Sequence, residues 1–216
     1  AYAGSCNAPP TATLPVLLHA DCGLVVQEMR WGLAAKGFST CNARAETAET
    51  KRTFKGLLPG RRCVVLLEGF YEWQRSGPKR RSFYATSDAP LLALAGLYQA
   101  GKGGRHYCTV LTVAAPPDLL WLHTRMPALL RDEGEVEAWL RPGPAPMRLL
   151  RPPAAAMDFL RVVEVSSYVN AVKNRGERCR TPLADLSTAK GSLQSFFARS
   201  PQKKKPQTKV GAKAEP

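Results

Sequence analysis

At 216 residues the chain can bury a sizeable core; no apolar run reaches the roughly 20 residues of a membrane helix, and no charged-then-apolar leader opens it. Its 31 Lys and Arg against 17 Asp and Glu leave a net charge of +14, which points towards a polyanion, nucleic acid first; with no long apolar run, no membrane partner is expected. The six cysteines (Cys6, Cys22, Cys41, Cys63, Cys108, Cys179) form no Cys-x-x-Cys pair and the three histidines (His19, His106, His123) stand far apart, so reduced thiols of an intracellular protein are expected, with no metal site and no cofactor.

The sequence opens on Ala1-Tyr2-Ala3-Gly4-Ser5 without an initiator Met, and an N-terminally incomplete product is expected. Asn7-Ala8-Pro9-Pro10-Thr11 reads as a proline-punctuated loop leading into a strand over 14–18. Residues 25–33 run through Met29-Arg30-Trp31-Gly32-Leu33, where an arginine beside a tryptophan either stacks on bases or finishes a strand with the indole in the core. Phe38-Ser39-Thr40-Cys41-Asn42-Ala43-Arg44-Ala45-Glu46 is polar, and residues 46–55 continue as a short helix. Asn42 offers donors and an acceptor, and Arg44 offers a planar fork suited to phosphate; a cap and a solvated charge are the alternatives.

The most informative stretch is Arg61-Arg62-Cys63-Val64-Val65-Leu66-Leu67-Glu68-Gly69-Phe70-Tyr71-Glu72-Trp73. Residues 64–67 suit a buried strand, and Gly69 allows a turn or a close backbone approach. Glu72 then lies among aromatic rings, an environment that disfavours a bare carboxylate charge and suits a general acid or base; an edge strand with a solvated Glu72 is the alternative. Residues 74–81 read as a basic hairpin-like loop, residues 83–85 and 91–98 as strands of one sheet, and residues 107–113 as a central strand. In Leu122-His123-Thr124-Arg125-Met126-Pro127 the proline disfavours helix, so His123 and Arg125 should share a face of an extended segment, where they would recognise a phosphate or act on a carbonyl. A short helix over 132–140, a proline-rich connection over 141–156 and a last strand over 159–165 follow, then the polar Ser166-Ser167-Tyr168-Val169-Asn170. Many strands with two or three short helices predict an α+β domain of mostly antiparallel sheet, spanning 1–186.

Taken together, Met29-Arg30-Trp31-Gly32-Leu33, Asn42-Ala43-Arg44-Ala45-Glu46, the Arg62 to Trp73 stretch, His123-Thr124-Arg125-Met126-Pro127 and Ser166-Ser167-Tyr168-Val169-Asn170 resemble, in order and approximate spacing, the SOS-response-associated peptidase (SRAP) family. The resemblance covers residues 5–186. It implies a monomeric nuclear protein of replication forks that holds single-stranded DNA, or its junction with duplex, around an abasic site. There an N-terminal cysteine closes a thiazolidine ring on the sugar aldehyde, giving a protective DNA–protein crosslink. Glu72 would manage proton transfer, His123 would assist ring opening and reversal, and Asn42 would orient the reactive terminus. Arg44 and Arg125 would meet phosphates, Arg30 would bind DNA beside them, Trp31, Phe38 and Trp73 would stack, and Pro10 matches the proline of the family's early loop. The family's Met-Cys-Gly-Arg start is not in this sequence, and Cys6 falls where the family usually has tyrosine, so it is not expected to be the nucleophile and this chain is expected to bind DNA without crosslinking.

Two rival functions keep part of the pattern: a DNA-binding module, reading modified cytosine or single strands without chemistry, and a cysteine-type peptidase limited to removing its own initiator Met. In the tail, 187–216, seven basic residues face one acidic, a net of +6. Ser192-Leu193-Gln194-Ser195-Phe196-Phe197 resembles a PCNA-interacting box in which Leu193, Phe196 and Phe197 would enter the clamp's pocket, although Lys190 stands at the usual glutamine position.

Overall fold

The computed structural model describes residues 4–35, 38–76 and 79–185, and the chain divides into units 1–183 and 184–216; the fold below is that of the first. It opens with strands β1 (Thr13–Ala20), β2 (Gly23–Trp31), β3 (Leu33–Ala35), β4 (Phe38–Thr40) and β5 (Asn42–Arg44). A 3-10 turn (Ala45–Thr47) and the four-residue helix α1 (Arg52–Lys55) follow. Next come β6 (Arg62–Leu67), β7 (Gly69–Ser76), β8 (Lys79–Thr86), β9 (Leu92–Ala100), β10 (His106–Ala114), β11 (Arg125–Pro127) and β12 (Leu129–Leu130). Helix α2 (Glu133–Leu140) and β13 (Arg161–Val165) complete the main elements.

Alternation explains β1: Leu14, Val16 and Leu18 are buried while their neighbours are not, so one face of the strand meets the core. Continuous burial explains β6, where Arg62, Cys63, Val64 and Val65 are all enclosed. The main sheet runs β11-β10-β2-β1-β6-β9-β12, and β10 also pairs antiparallel with β9. Strands β2, β1, β6, β9 and β10 therefore close on themselves, which removes the free edges an open sheet would expose. Helix α2 is capped by the Asp132 carboxylate, which accepts from Glu135 N–H at 2.8 Å, and it packs on β6 through the fully buried Trp139, whose indole N–H donates to Cys63 O at 2.9 Å. A second sheet, β13-β8-β7, leaves the barrel just after β6.

The α+β reading with mostly antiparallel pairing holds, with parallel exceptions at β10–β2 and β10–β5. Three local expectations are corrected. Residues 83–85 and 91–98 belong to different sheets, because β8 pairs with β7 and β13 while β9 pairs with β6, β10 and β12. Much of the predicted basic loop over 74–81 is strand: Gln74 opposes Arg81 and Ser76 opposes Lys79, and the basic side chains Arg80 and Arg81 lie over the rings of Trp73 and Phe83. Gly77 and Pro78 of that loop lie outside the described residues. The helix expected over 46–55 is interrupted where the Thr47 and Thr50 hydroxyls donate to Arg44 O and Thr47 O, local bonds that compete with helix. The proposed tail motif of Leu193, Phe196 and Phe197 also lies outside the described residues.

Candidate nucleic-acid and catalytic site

Strand β10 organises the site. One of its edges takes β2 and then β5; the other takes β9 and then β11. In this register Thr112 lies opposite Arg44 on β5 and Pro127 on β11, so residues distant in sequence flank one strand. On β5 Ala43 is buried while Asn42 and Arg44 are exposed, so those two side chains project together into solvent. The turn that brings the chain into β5 is fixed by Cys41 O, which accepts from the Trp31 indole N–H and from the Thr109 hydroxyl, each at 2.9 Å.

Arg125 begins β11. Its Nη1 and Nη2 donate to the two Glu46 carboxylate oxygens at 2.6 and 2.8 Å, and Nη2 also reaches Thr112 O at 2.5 Å. Its Nε is buried with no hydrogen-bond partner. The Arg125 hydrogen bond holds the Glu46 carboxyl below its ordinary value, against the opposite pull of burial. The guanidinium expected to meet phosphate is thus engaged by a carboxylate of its own chain, whereas Arg44 forms no salt bridge among the described residues.

His123 lies in the loop just before β11. Its Nδ1 is 3.1 Å from Arg125 N–H and 3.2 Å from Arg125 O, so one backbone residue serves both protonation states: the N–H donates to a bare nitrogen, and the carbonyl accepts from a protonated one. The Glu72 Oε2 stands 4.0 Å from the same nitrogen, with the Glu72 and His123 side chains 26% and 41% exposed. Glu72 Oε1 accepts from Trp73 N–H at 3.1 Å. A carboxylate and an imidazole that are close without a direct hydrogen bond leave room for a reacting group between them.

Adjacent residues of β7 face opposite ways. Glu72 shares its face with Phe83, its partner across the ribbon, and the loop carrying Trp121 and His123 covers that face: Trp121 packs edge-on to Phe83 at 5.1 Å, and Gln74 donates to Trp121 O at 2.9 Å. Trp73 points to the other side, where its indole N–H donates to Asn170 Oδ1 at 2.7 Å and Arg80 lies 4.6 Å from its ring centre. Asn170 also accepts from the Ser82 hydroxyl at 3.2 Å. On that second face Tyr71 stacks near Tyr84 and donates to Cys6 O at 2.5 Å, and Asn7 anchors the N-terminal segment through Val169 O and Asn174 O. Cys6 therefore lies across the sheet from Glu72, and burial with the nearby Glu177 carboxylate pushes its thiol above the ordinary value.

Contacts thus link Glu72, His123 and Arg125, and strand pairing sets Asn42 and Arg44 alongside them on β10. Trp31 is half-buried against the core with its indole N–H engaged, Arg30 is exposed on β2, and Pro10 sits exposed in a turn closed by Ala12 N–H to Pro9 O. The Phe38 side chain lies outside the described residues. Three participants escape a reading by residue type. Trp121, 44% exposed, sits in an apolar Leu-Leu-Trp-Leu run that looks like core; its place two residues before His123 is the signal. Glu46 and Asn170 close the second and last of the sequence motifs, and each binds another motif's key residue. Among the described residues no group of three or more His, Cys, Asp or Glu could hold a metal, and no helix is long and apolar enough to cross a membrane.

Residues 1–172 match the family described as SOS response associated peptidase (SRAP). The chain is 32% identical over 94% of its length to the abasic site processing protein HMCES of Gallus gallus, covering 76% of that protein. It is 34% identical over 80% of its length to the abasic site processing protein YoqW of Bacillus subtilis, covering 84% of it. The crystal structure of a Bacteroides thetaiotaomicron protein shares the fold with a TM-score of 0.67 at 24% identity, over 79% of this chain and 82% of that one. A phage-related protein of Bordetella bronchiseptica superposes with a TM-score of 0.59 at 26% identity, over 74% and 80% of the respective chains.

Proposed function

Since the chain belongs to the SOS response associated peptidase (SRAP) family, we propose that it processes abasic sites in DNA, holding a single strand or its junction with duplex across β5 and β11 and presenting the opened sugar to Glu72 and His123. The observation that carries this reading is the Glu72–His123 pair, 4.0 Å apart, beside the exposed Asn42 and Arg44 of a strongly basic chain. An abasic sugar exposes an aldehyde. The amine of an N-terminal cysteine adds to it, the carbinolamine loses water to give an imine, and the thiol adds to that imine to close a thiazolidine. Glu72 takes a proton from the terminal ammonium to free the attacking amine and returns one to the departing hydroxyl; His123 serves the ring oxygen as the sugar opens. Asn42 orients the terminus. Arg44 meets a phosphate directly, and Arg125 does so by exchange with Glu46. Trp121 supplies a stacking surface on the Glu72 side, and Trp73 one on the other.

Cys6 is not the nucleophile in this scheme, because it lies across the sheet from Glu72. The same proposal extends to a monomer acting at replication forks in the nucleus, with Leu193, Phe196 and Phe197 engaging PCNA, and to a peptidase step confined to exposing the terminal cysteine. The test incubates abasic single-stranded DNA with this chain and with a version carrying Cys-Gly-Arg ahead of Ala1 and its joining segment, followed by intact mass and denaturing gels. A stable adduct on the extended protein alone, slowed by Glu72→Gln with DNA affinity retained, is expected. Arg44→Ala should instead weaken affinity and lower its salt dependence. A stable adduct formed by the unextended chain, or no adduct with either while both bind DNA, overturns the scheme; the latter leaves a binding module.

A further inference from the structure

Behind the site, on the other face of β10 and β11, lies a cavity of about 420 Å³ that the proposed chemistry does not use. Its floor is apolar: Val113, Met126, Leu129 and Phe159. Val113 and Met126 are paired across β10 and β11, one residue away from Thr112 and Arg125, so alternation turns them to the opposite face from the Arg125–Glu46 pair. Its rim carries Arg131, Arg148 and Arg151 against one carboxylate, Glu135. Glu135 is engaged, accepting from Arg131 Nη2 and from Arg131 N–H, each at 2.8 Å. Arg148 and Arg151 are exposed and form no salt bridge among the described residues.

We propose that this pocket docks a short acidic segment of another protein, which seats an aliphatic or aromatic side chain on the Met126–Phe159 floor and lays carboxylates on Arg148 and Arg151. The volume is in the range of small-ligand and side-chain pockets, and apolar floor with a charged rim is the anatomy of an anchored peptide site. Charge complementarity selects the occupant. Residues 187–216 carry a net +6 and a second copy of the chain carries +14, so both are repelled by an arginine rim. A floor of aliphatic side chains with a single aromatic ring offers little for bases to stack on, which favours a peptide over nucleic acid.

The test measures fluorescence anisotropy of fluorescein-labelled Glu-Asp-Leu-Phe-Asp-Glu with the full chain, with Ser-Ser replacing Leu-Phe in a control peptide and a short oligothymidylate as a second probe. Two variants, Arg148→Glu with Arg151→Glu and, separately, Ala154→Trp to fill the mouth, alter exposed positions, and matching melting curves verify that both fold. Saturable binding of the Leu-Phe peptide, weakened about tenfold or more by each variant and absent for the Ser-Ser peptide, is the expected result. Equal binding of both peptides, no binding of either, or affinity unchanged by the variants overturns the proposal. So does an equal loss of oligothymidylate affinity in the Arg148→Glu, Arg151→Glu protein, which would make the rim part of the nucleic-acid surface.

Discussion

The closed barrel and the β13-β8-β7 sheet meet at the site, yet they are held together by different means. In the barrel the charge of Arg62 is enclosed at 4% exposure and fixed by four carbonyls: Nε donates to Trp139 O at 2.6 Å, and the terminal nitrogens donate to Gly143 O at 2.9 Å, Leu58 O and Arg141 O. The small sheet ends at β7 and relies on half-exposed partners, such as Arg81 on Glu164 and Trp73 on Asn170. Asn42, Arg44 and Arg125 thus ride on short strands paired to β10 of the barrel, while Glu72 rides on β7 of the smaller sheet. In the proposed scheme the binding residues then belong to the barrel and the acid–base group to the smaller sheet, and mutations in the two regions should have distinct signatures.

The largest expected effect lies in the barrel. Arg62→Ala leaves several enclosed carbonyls without donors and should cost about 3 kcal/mol or more, seen as a lower denaturation midpoint with DNA binding lost only through unfolding. A loss below about 1 kcal/mol would mean that the two regions are not held so differently. Next is the junction. A Cβ on Gly69 would come within 2.5 Å of Ala85 O and the Tyr84 ring, so Gly69→Ala must displace backbone and should cost about 1–3 kcal/mol. Made in the protein extended with the N-terminal Cys-Gly-Arg segment, the same change should lower the crosslinking rate further than the DNA affinity, because β7 carries Glu72; equal losses would place the strain in the barrel instead.

Asn170→Ala removes the acceptor shared by Trp73 and Ser82 and should cost about 1 kcal/mol, with a shifted tryptophan emission maximum and, in the cysteine-extended protein, a crosslinking rate close to its parent. A large rate loss would join the two faces of β7 that the strand's alternation separates. The smallest effect is at Glu46. Its carboxyl titrates below its ordinary value of 4.5 because of Arg125, so the ion pair stabilises the fold above that value and its contribution disappears as pH falls through the lower folded value. The half-exposed pair contributes modestly, and Glu46→Gln should flatten the acid limb of stability below pH 4.5 while leaving neutral-pH stability nearly unchanged.

Much of the fold was legible because its signals are local. The strand over 14–18, the apolar run of β6, the short helix over 132–140 and the close approach at Gly69 all follow from neighbouring residue types. The chain also carries the motif set that identifies its family. One misreading has a plain cause: charge near aromatic residues reads as loop, yet Arg80 and Arg81 lie along a paired strand over Trp73 and Phe83. Likewise Arg62 reads as the polar boundary of a strand, and only α2 and the segment beyond it enclose it.

By itself the sequence determined most of the element types, the basic character and the side chains available for chemistry, since periodicity and side-chain identity depend only on near neighbours. Tertiary structure decided which of those residues meet. That Thr112 lies opposite Arg44, that Arg125 closes on Glu46, and that Glu72 faces His123 while Trp73 turns to Asn170 depend on strand register and barrel closure. Register is set by burying one face of every strand at once, a condition on the whole core that no single stretch of the chain contains.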